Sequence, residues 1–210
     1  MKKILLVSAM VLVAGFSYAQ SIIPKAGVTM SMFTGDISDS FFKPGFTFGA
    51  AFNMPLGEGK FSLQPEINFI QKGVKMEGYN SQLMIDYTQK LTINYLEVPV
   101  LIKVNFGKFH LNVGPSAAFG LGGKSKYKAD GGDEVESDVK FGEQKLDGNY
   151  YIKESTDVNL QFGFGFTVAE KVLLDFRSGF GLTNFDQRED YTTKNLTLQF
   201  TVGVPLSIGK

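Results

Sequence analysis

The stretch that begins at Phe61 reads Phe61-Ser62-Leu63-Gln64-Pro65-Glu66-Ile67-Asn68-Phe69, and it alternates between apolar and polar residues. Successive side chains of a β-strand point to opposite faces, so this period of two predicts a strand with one apolar and one polar face. The same alternation recurs along the chain after Gln20. It predicts eight strands, over Pro24 to Met32, Gly45 to Met54, Phe61 to Phe69, Leu91 to Phe106, Phe109 to Leu121, Val158 to Val168, Val172 to Leu182 and Leu196 to Ile208.

The length and the charge of these strands separate a membrane barrel from a soluble sandwich, which also alternates. Most of the predicted strands run about 9 to 14 residues, whereas soluble strands average about 5 to 6 and membrane strands need about 9 to 11. One side of each strand is rich in Phe, Leu and Val, and the other carries charges such as Glu97 and Asp175. A barrel in lipid turns its apolar rows outward and its polar rows inward.

The connections between the strands alternate in length. Short ones are expected near Gly57, at Gly107–Lys108 and at Ala169–Glu170, and long ones over Thr34–Lys43, Lys72–Lys90, Lys124–Asp157 and Asn184–Lys194. Short turns at one rim and long loops at the other are typical of outer-membrane barrels, with the short turns in the periplasm. Unpaired amides are costly in hydrocarbon, so the sheet must close. We predict an all-β fold, an eight-stranded antiparallel transmembrane (outer-membrane) β-barrel; a soluble periplasmic β-domain is the alternative.

Composition excludes several classes of protein. The chain has 210 residues, with 21 Lys and Arg against 21 Asp and Glu. The formal net charge is therefore zero, which argues against nucleic acid as a partner. It has no cysteine, which removes disulfides, thiolate metal sites and an acylated N-terminal cysteine, and its single histidine leaves little for a metal centre. We therefore predict no metal and no cofactor.

The first residues resemble a secretory signal peptide. Lys2 and Lys3 precede an uncharged, mostly apolar run from Ile4 to Phe16, and a small-x-small site ends at Ala19. The run is shorter than the about 20 residues that a spanning helix needs. We expect residues 1–19 to be a signal peptide cleaved after Ala19, and residues 20–210 to form the outer-membrane barrel domain.

The fourth predicted strand changes phase. Leu91, Ile93 and Tyr95 are apolar on one parity, and the residues from Leu96 to Phe106 are apolar on the other. A bulge near Tyr95 would reconcile the two halves. Alternatively, the first residues of the strand project beyond the bilayer.

Several short motifs resemble the PorT-like outer-membrane β-barrel proteins of the Bacteroidetes. They are Phe61-Ser62-Leu63-Gln64-Pro65-Glu66, Gln71-Lys72-Gly73, Tyr95-Leu96-Glu97-Val98-Pro99, Gly114-Pro115, Leu174-Asp175-Phe176-Arg177 and Gly181-Leu182-Thr183-Asn184. The resemblance covers nearly all of the chain after Gln20 and implies an outer-membrane barrel. The founding member is tied to protein secretion, but fold alone does not transfer a function. This chain also departs from the aromatic C-terminal residue of many such barrels, because it ends at Lys210.

Five charged residues fall on the inward parity of the predicted strands: Glu66, Glu97, Lys103, Asp175 and Arg177. An eight-stranded barrel has just enough interior for side chains, and buried charges must be paired. We predict that these residues form an ion network that plugs the lumen. The alternative is that Glu66 and Glu97, on neighbouring strands, work as an acid–base pair. His110 follows the turn at Lys108 and is expected at the periplasmic rim, without the partners of a nucleophilic site.

The longest predicted loop, Lys124–Asp157, carries an acidic stretch and is the predicted interaction loop. Its acidic residues are Asp130, Asp133, Glu134, Glu136 and Asp138. A solvated loop is the simplest interpretation, and divalent cations that bridge it to lipopolysaccharide or to a protein are the alternative. The partners we expect are outer-membrane lipid, and a protein or lipopolysaccharide at the loops, for a monomeric barrel.

The sequence therefore predicts a non-enzymatic outer-membrane barrel with a plugged polar lumen and a structural or surface-interaction role through its extracellular loops. The alternative is an accessory component of protein secretion or transport, or a narrow channel.

Overall fold

The computed structural model describes residues 21–37, 39–57, 60–81, 84–168, 171–188 and 190–207. The predicted signal peptide, residues 1–19, lies outside them. Regular secondary structure in the described residues is entirely β, and none of them belongs to a helix long and apolar enough to cross a membrane. The strands are β1 (Ser21–Gly35), β2 (Ser40–Phe41), β3 (Lys43–Pro55), β4 (Phe61–Asn80), β5 (Ile85–Phe106), β6 (Phe109–Ala129), β7 (Glu134–Phe141), β8 (Tyr150–Ile152), β9 (Thr156–Val168), β10 (Val172–Gly181), β11 (Thr193–Gly203) and β12 (Leu206–Ser207).

Eight of these strands close into an antiparallel ring in the order β1, β3, β4, β5, β6, β9, β10 and β11. The last strand returns to the first, with a register that runs from Lys25 opposite Gly203 to Gly35 opposite Thr193. A closed sheet satisfies its own amides, which is the condition for spanning a membrane with strands. The prediction of an eight-stranded barrel is confirmed.

The two faces of the barrel wall differ as the alternation predicts. On β9, Phe162, Phe164 and Phe166 are 42–47% exposed on the outside, while Asn159 and Gln161 are each 1% exposed on the inside. Neighbouring strands extend the apolar rows, for example where the rings of Phe48 and Phe69 stack with centroids 5.1 Å apart. An exposed apolar band around the whole wall is the surface that a bilayer covers.

The turns at one end are short. Phe106 pairs with Phe109, so Gly107 and Lys108 alone connect β5 to β6, and Gly107 has a φ of +66° that glycine adopts without strain. We call this the short-turn end and the opposite one the extended end.

Three strands run far beyond the barrel at the extended end. β4, β5 and β6 have 20, 22 and 21 residues, more than the 9, 16 and 13 residues of the corresponding predicted strands. Residues 74–80, 85–91, 123–129 and 134–141 form one sheet there, which we call the distal sheet. The prediction of loops over Lys72–Lys90 and Lys124–Asp157 is wrong in these parts, because the backbone ladder continues and the supposed loop supplies β7 and β8.

A bulge separates the barrel from the distal sheet. Asn94 pairs with Gly122 but Tyr95 pairs with Gly120, so Leu121 is an extra residue on β6. Gly122 has a φ of +112°, in the region open to glycine. The predicted bulge near Tyr95 is present, but it lies on the partner strand. It therefore does not change the phase of β5, and Leu91, Ile93 and Tyr95 all point inward, each 0% exposed.

Candidate functional site

Arg177 is the centre of the charged cluster toward the short-turn end. Its guanidinium donates two hydrogen bonds of 2.8 Å to Glu66, one to each carboxylate oxygen, and a third of 2.7 Å from Nε to Asp175 Oδ1. Arg177 and Asp175 lie two residues apart on β10, which puts both on the inner face, and Glu66 reaches them from β4. This fork geometry is the strongest kind of arginine–carboxylate pairing.

Further side chains complete this cluster, which we call the lower cluster. Lys25 on β1 makes an ion pair with Glu66, and His110 Nε2 lies 2.9 Å from Asp175 Oδ2. Gln64 donates to Glu66 at 2.7 Å, and Asn68 donates to it at 3.0 Å. His110 is 2% exposed, so the expectation that it lies at the rim is wrong. Even-numbered residues of β6 point inward at this level, and a histidine beside Asp175 belongs to the lumen.

Glycines on β9 make room for the cluster. A Cβ atom at Gly163 would lie 2.6 Å from Arg177 Cγ, and one at Gly165 would lie 2.4 Å from His110 Cε1. Both distances are closer than atoms can pack. The lumen at this level is therefore filled by the charged side chains of the facing strands, and β9 contributes only backbone.

A second cluster lies toward the extended end. Lys72 Nζ lies 3.0 Å from Glu97 Oε1 and 3.0 Å from Asp157 Oδ2, and it sits 5.5 Å from the centroid of the Tyr95 ring. Asn195 donates to the same Asp157 oxygen at 2.9 Å. We call Lys72, Glu97 and Asp157 the upper cluster.

The buried charges balance across the two clusters. In the described part of the chain, the buried cations are Lys25, Lys72, Lys103 and Arg177, and the buried carboxylates are Glu66, Glu97, Asp157 and Asp175. The lower cluster, with Lys103 included and His110 counted as uncharged, has three cations and two carboxylates. The upper cluster has one cation and two carboxylates. The eight buried charges therefore sum to zero. The net positive charge of one cluster and the net negative charge of the other attract each other within a low-dielectric lumen.

An apolar cap covers the upper cluster. Ile70, Val74, Leu91 and Ile93 of the barrel strands pack with Val139 of β7, Ile152 of β8 and Phe185, and Phe33 stacks on Phe185 with ring centroids 6.2 Å apart. The long connections thus fold inward over the lumen instead of leaving it open to water.

The structure separates the predicted network residues into these two groups. It brings Glu66, Asp175 and Arg177 into direct contact, places Lys103 buried among them without an ion pair to a described residue, and gives Glu97 a different partner. Asn68 is the residue opposite Glu97 in the sheet, so Glu66 and Glu97 sit at different levels and each has its own cation. This arrangement does not support the acid–base pair.

Sequence reasoning missed four residues of the two clusters: Lys25, Lys72, His110 and Asp157. Each lies on the inward parity of its strand. That signal was available, but Lys25 and His110 fall at strand starts and Lys72 and Asp157 lie outside the clean alternating segments, so the pattern did not single them out.

The acidic stretch pairs with lysines of the distal sheet. Lys124 Nζ lies 2.9 Å from both Glu136 Oε1 and Asp138 Oδ1, and Lys126 Nζ lies 2.9 Å from Glu134 Oε1. Asp130 and Asp133 lie at the turn between β6 and β7. Hydrogen bonds from the two ammonium groups hold the pKa of Glu134, Glu136 and Asp138 below their usual range. The prediction of a solvated loop is wrong for Glu134, Glu136 and Asp138, because they form part of β7. Among the described residues, no group of three or more His, Cys, Asp or Glu side chains is placed to hold a metal.

Acid is expected to detach β7 from β6. Carboxyls whose pKa is lowered by folding stabilise the pairing fully above their ordinary pKa of about 4, and that stabilisation is lost as the pH falls through the lower folded value. Hydrogen-exchange protection factors of the β7 amides should therefore fall between pH 6 and pH 3, while those of β9 stay unchanged. A Lys124→Gln/Lys126→Gln variant should show little of this pH dependence; an equal response in that variant would contradict the role of the pairs.

A closed eight-stranded barrel, with an apolar outer band, a charged interior and long strands at one end, defines the class of outer-membrane β-barrel proteins. The family described as outer membrane protein beta-barrel domain matches residues 18–187, and the chain belongs to it. The protein is therefore a protein of the outer membrane. No curated protein sequence matches the chain.

Solved structures share the fold at low sequence identity. Ail, the attachment invasion locus protein of Yersinia pestis, is 14% identical with a TM-score of 0.50, over 90% of this chain and 99% of Ail. OprG of Pseudomonas aeruginosa is 11% identical with a TM-score of 0.39, over 91% of this chain and 98% of that one. The outer membrane enzyme PagL is 11% identical with a TM-score of 0.31, over 85% and 99%. At these identities the likeness concerns the fold alone.

Proposed function

We propose that this protein is a non-enzymatic surface-interaction protein whose distal sheet meets its partner outside the cell. The observation that carries the proposal is the continuation of three barrel strands beyond the apolar band. About ten residues of each of β4, β5 and β6 lie past the level of Leu96, which at ~3.3 Å per residue is roughly 30 Å along the strands. Strands of this length present a rigid polar surface that the barrel itself does not need in order to span a bilayer.

The interior supports an interaction role over a channel or an enzyme. The lower cluster, the upper cluster and the apolar cap lie one above the other in the lumen, which leaves little space for water or solutes. The His110–Asp175 contact resembles part of a catalytic dyad, but it lies at the level of Arg177 inside the lumen. The His110 and Asp175 side chains are 2% and 3% exposed, so a substrate has no open path to them from either end of the lumen.

A role as an accessory of protein secretion is the second candidate function. It rests on the resemblance of the motifs of β4, β5 and β10 to PorT-like barrels. A secretion accessory would contact its partners at the periplasmic rim, where the short turns lie. A surface-interaction protein would contact them at the distal sheet.

Single cysteines can determine which end of the barrel faces the medium, because the native chain has none. Asp133→Cys, at the turn of the distal sheet, is expected to react with a membrane-impermeant maleimide on intact cells. Lys108→Cys, at the short-turn end, is expected to react only after the outer membrane is permeabilised. The extent of labelling is read on denaturing gels as a mass shift.

The same two variants test the partner. With a short thiol-reactive crosslinker, adducts that form from Asp133→Cys and not from Lys108→Cys support the distal sheet as the contact. Adducts that form only from Lys108→Cys overturn the proposal in favour of a periplasmic, secretion-type role. Labelling of Lys108→Cys on intact cells overturns the orientation itself.

A further inference from the structure

Three lysines lie side by side across the distal sheet. Lys75 of β4 is directly opposite Lys90 of β5, and Lys90 is directly opposite Lys126 of β6. Like charges in this position destabilise a sheet. Opposite charges nearby would offset this cost.

Carboxylates of the sheet offset the row only in part. Lys75 pairs with Glu77 within its own strand, and Lys126 pairs with Glu134 and Glu136 across β7. Lys90, in the middle of the row, makes no ion pair with any residue the structure describes. Lys128 lies in the next row, opposite Thr88, and it also lacks an ion pair within the described residues. The row therefore keeps a local positive charge at its centre.

The bulge at Leu121 places this charge on the outer face. The extra residue shifts the alternation of β6, so Lys126 and Lys128 lie on the same side as Lys90, which continues the lipid-facing row of β5. Side chains around them form a shallow concavity of about 180 Å³. It is lined by Lys75, Thr88, Lys90, Lys126, Lys128 and Glu134.

The row lies above the apolar band, within reach of a lipid headgroup layer. On β5 the lipid-facing row ends at Leu96, and a hydrogen bond of 3.0 Å between Gln71 and Asn94 marks the first polar step. Lys90 lies six residues beyond Leu96, about 20 Å along the strand and, at a tilt near 45°, roughly 14 Å above the band. A headgroup layer is about 5–8 Å thick, and a lysine side chain of about 6 Å reaches from this height down toward it. With the extended end outside the cell, as proposed above, a ligand there would lie beside the barrel wall among the lipids of the outer leaflet.

We propose that Lys75, Lys90 and Lys126 form a site on the outer wall for a phosphate group of an anionic glycolipid in the outer leaflet. A phosphate supplies the negative charge that the row lacks, and ammonium groups bind it as point charges through charge-assisted hydrogen bonds. This inference rests on the proposed function to the extent that both require the distal sheet to be extracellular. It adds a lipid partner that anchors the base of that sheet.

Native mass spectrometry of the full-length barrel in detergent micelles tests the site. The probe is bisphosphorylated lipid A, and the reference is the same lipid after removal of both phosphates. The triple variant Lys75→Gln/Lys90→Gln/Lys126→Gln is expected to retain lipid A at least tenfold more weakly than the native chain. The matched control, Lys60→Gln/Lys108→Gln/Lys171→Gln, makes the same charge change at the short-turn end and is expected to retain lipid A as the native chain does.

A third variant guards against a folding defect. Lys126 also holds β7, so the triple variant could disturb the sheet, whereas Lys90→Glu touches no described ion pair and should still weaken retention at least tenfold. The proposal is overturned if either variant binds lipid A like the native chain, or if the control loses as much. It is also overturned if the phosphate-free lipid binds equally well, or if inorganic phosphate at the same concentration displaces lipid A. Any of these results leaves the proposed function standing as long as Asp133→Cys is labelled on intact cells.

Discussion

Replacing Arg177 with leucine is expected to lower the free energy of unfolding by about 3–5 kcal/mol, the cost of breaking a buried ion pair from one side. Arg177 makes three hydrogen bonds to Glu66 and Asp175, and leucine would leave the Asp175 carboxylate with only its His110 and Asn112 contacts. Equilibrium unfolding in urea, followed in lipid vesicles by the mobility of unheated samples on gels, measures the change. Lys171→Ala, at an exposed position of the short-turn end, should leave the free energy of unfolding unchanged.

A rescue experiment separates charge from packing in this variant. If the loss comes from the uncompensated Asp175 carboxylate, then Arg177→Leu combined with Asp175→Asn should recover most of the stability, because Glu66 keeps its ion pair with Lys25. If it comes from the missing volume, this double variant should stay as unstable as the single one. A loss below about 1 kcal/mol in Arg177→Leu, as exposed pairs give, would contradict a closed lumen.

Replacing Phe164 with arginine is the second large effect, with an expected loss of about 2–4 kcal/mol near the bilayer midplane. Phe164 is 42% exposed on the outer wall, and its ring lies 5.5 Å from that of Phe176. In water an exposed arginine would be harmless, but in hydrocarbon it must be desolvated. The same urea titration in vesicles measures the loss.

A residue at a different depth in the bilayer provides the matched control for Phe164. Val168, 48% exposed on the same face of β9 and four residues nearer the short-turn end, should tolerate arginine at a cost of about 0–1 kcal/mol. Phe164→Leu keeps the position apolar and should also cost little. Equal losses at Phe164 and Val168 would contradict the placement of the bilayer on this band.

Alternation with a period of two, together with the length of the strands and the charges on their polar side, predicted the barrel, because lipid outside and a narrow lumen inside impose opposite demands on successive residues. The same rule placed Glu66, Asp175 and Arg177 inside. It could not say that Glu97 pairs with Lys72 while Glu66 pairs with Arg177, because those partners are set by the register between strands, and register is a property of the closed sheet.

The apolar–polar alternation could not predict the distal sheet either. Polar residues on both faces, as at Lys124 to Lys128, lose the contrast on which the prediction of a strand depends, so β7 and the ends of β4 to β6 were taken for loops. Backbone ladders and cross-strand ion pairs hold these segments in the sheet, and neither leaves a periodic signal.

The sequence by itself determined that this chain forms a barrel with an apolar outer face and charged side chains in its lumen. The reason is that each strand has lipid on one side and the polar lumen on the other. Only the tertiary structure decided which charges meet and that the mouth of the barrel is capped. It also decided that one extra residue, Leu121, places Lys126 and Lys128 of β6 on the outer face. The physical reason is that side-chain direction is local, whereas partnership depends on the closure of the ring and on the stagger of its strands.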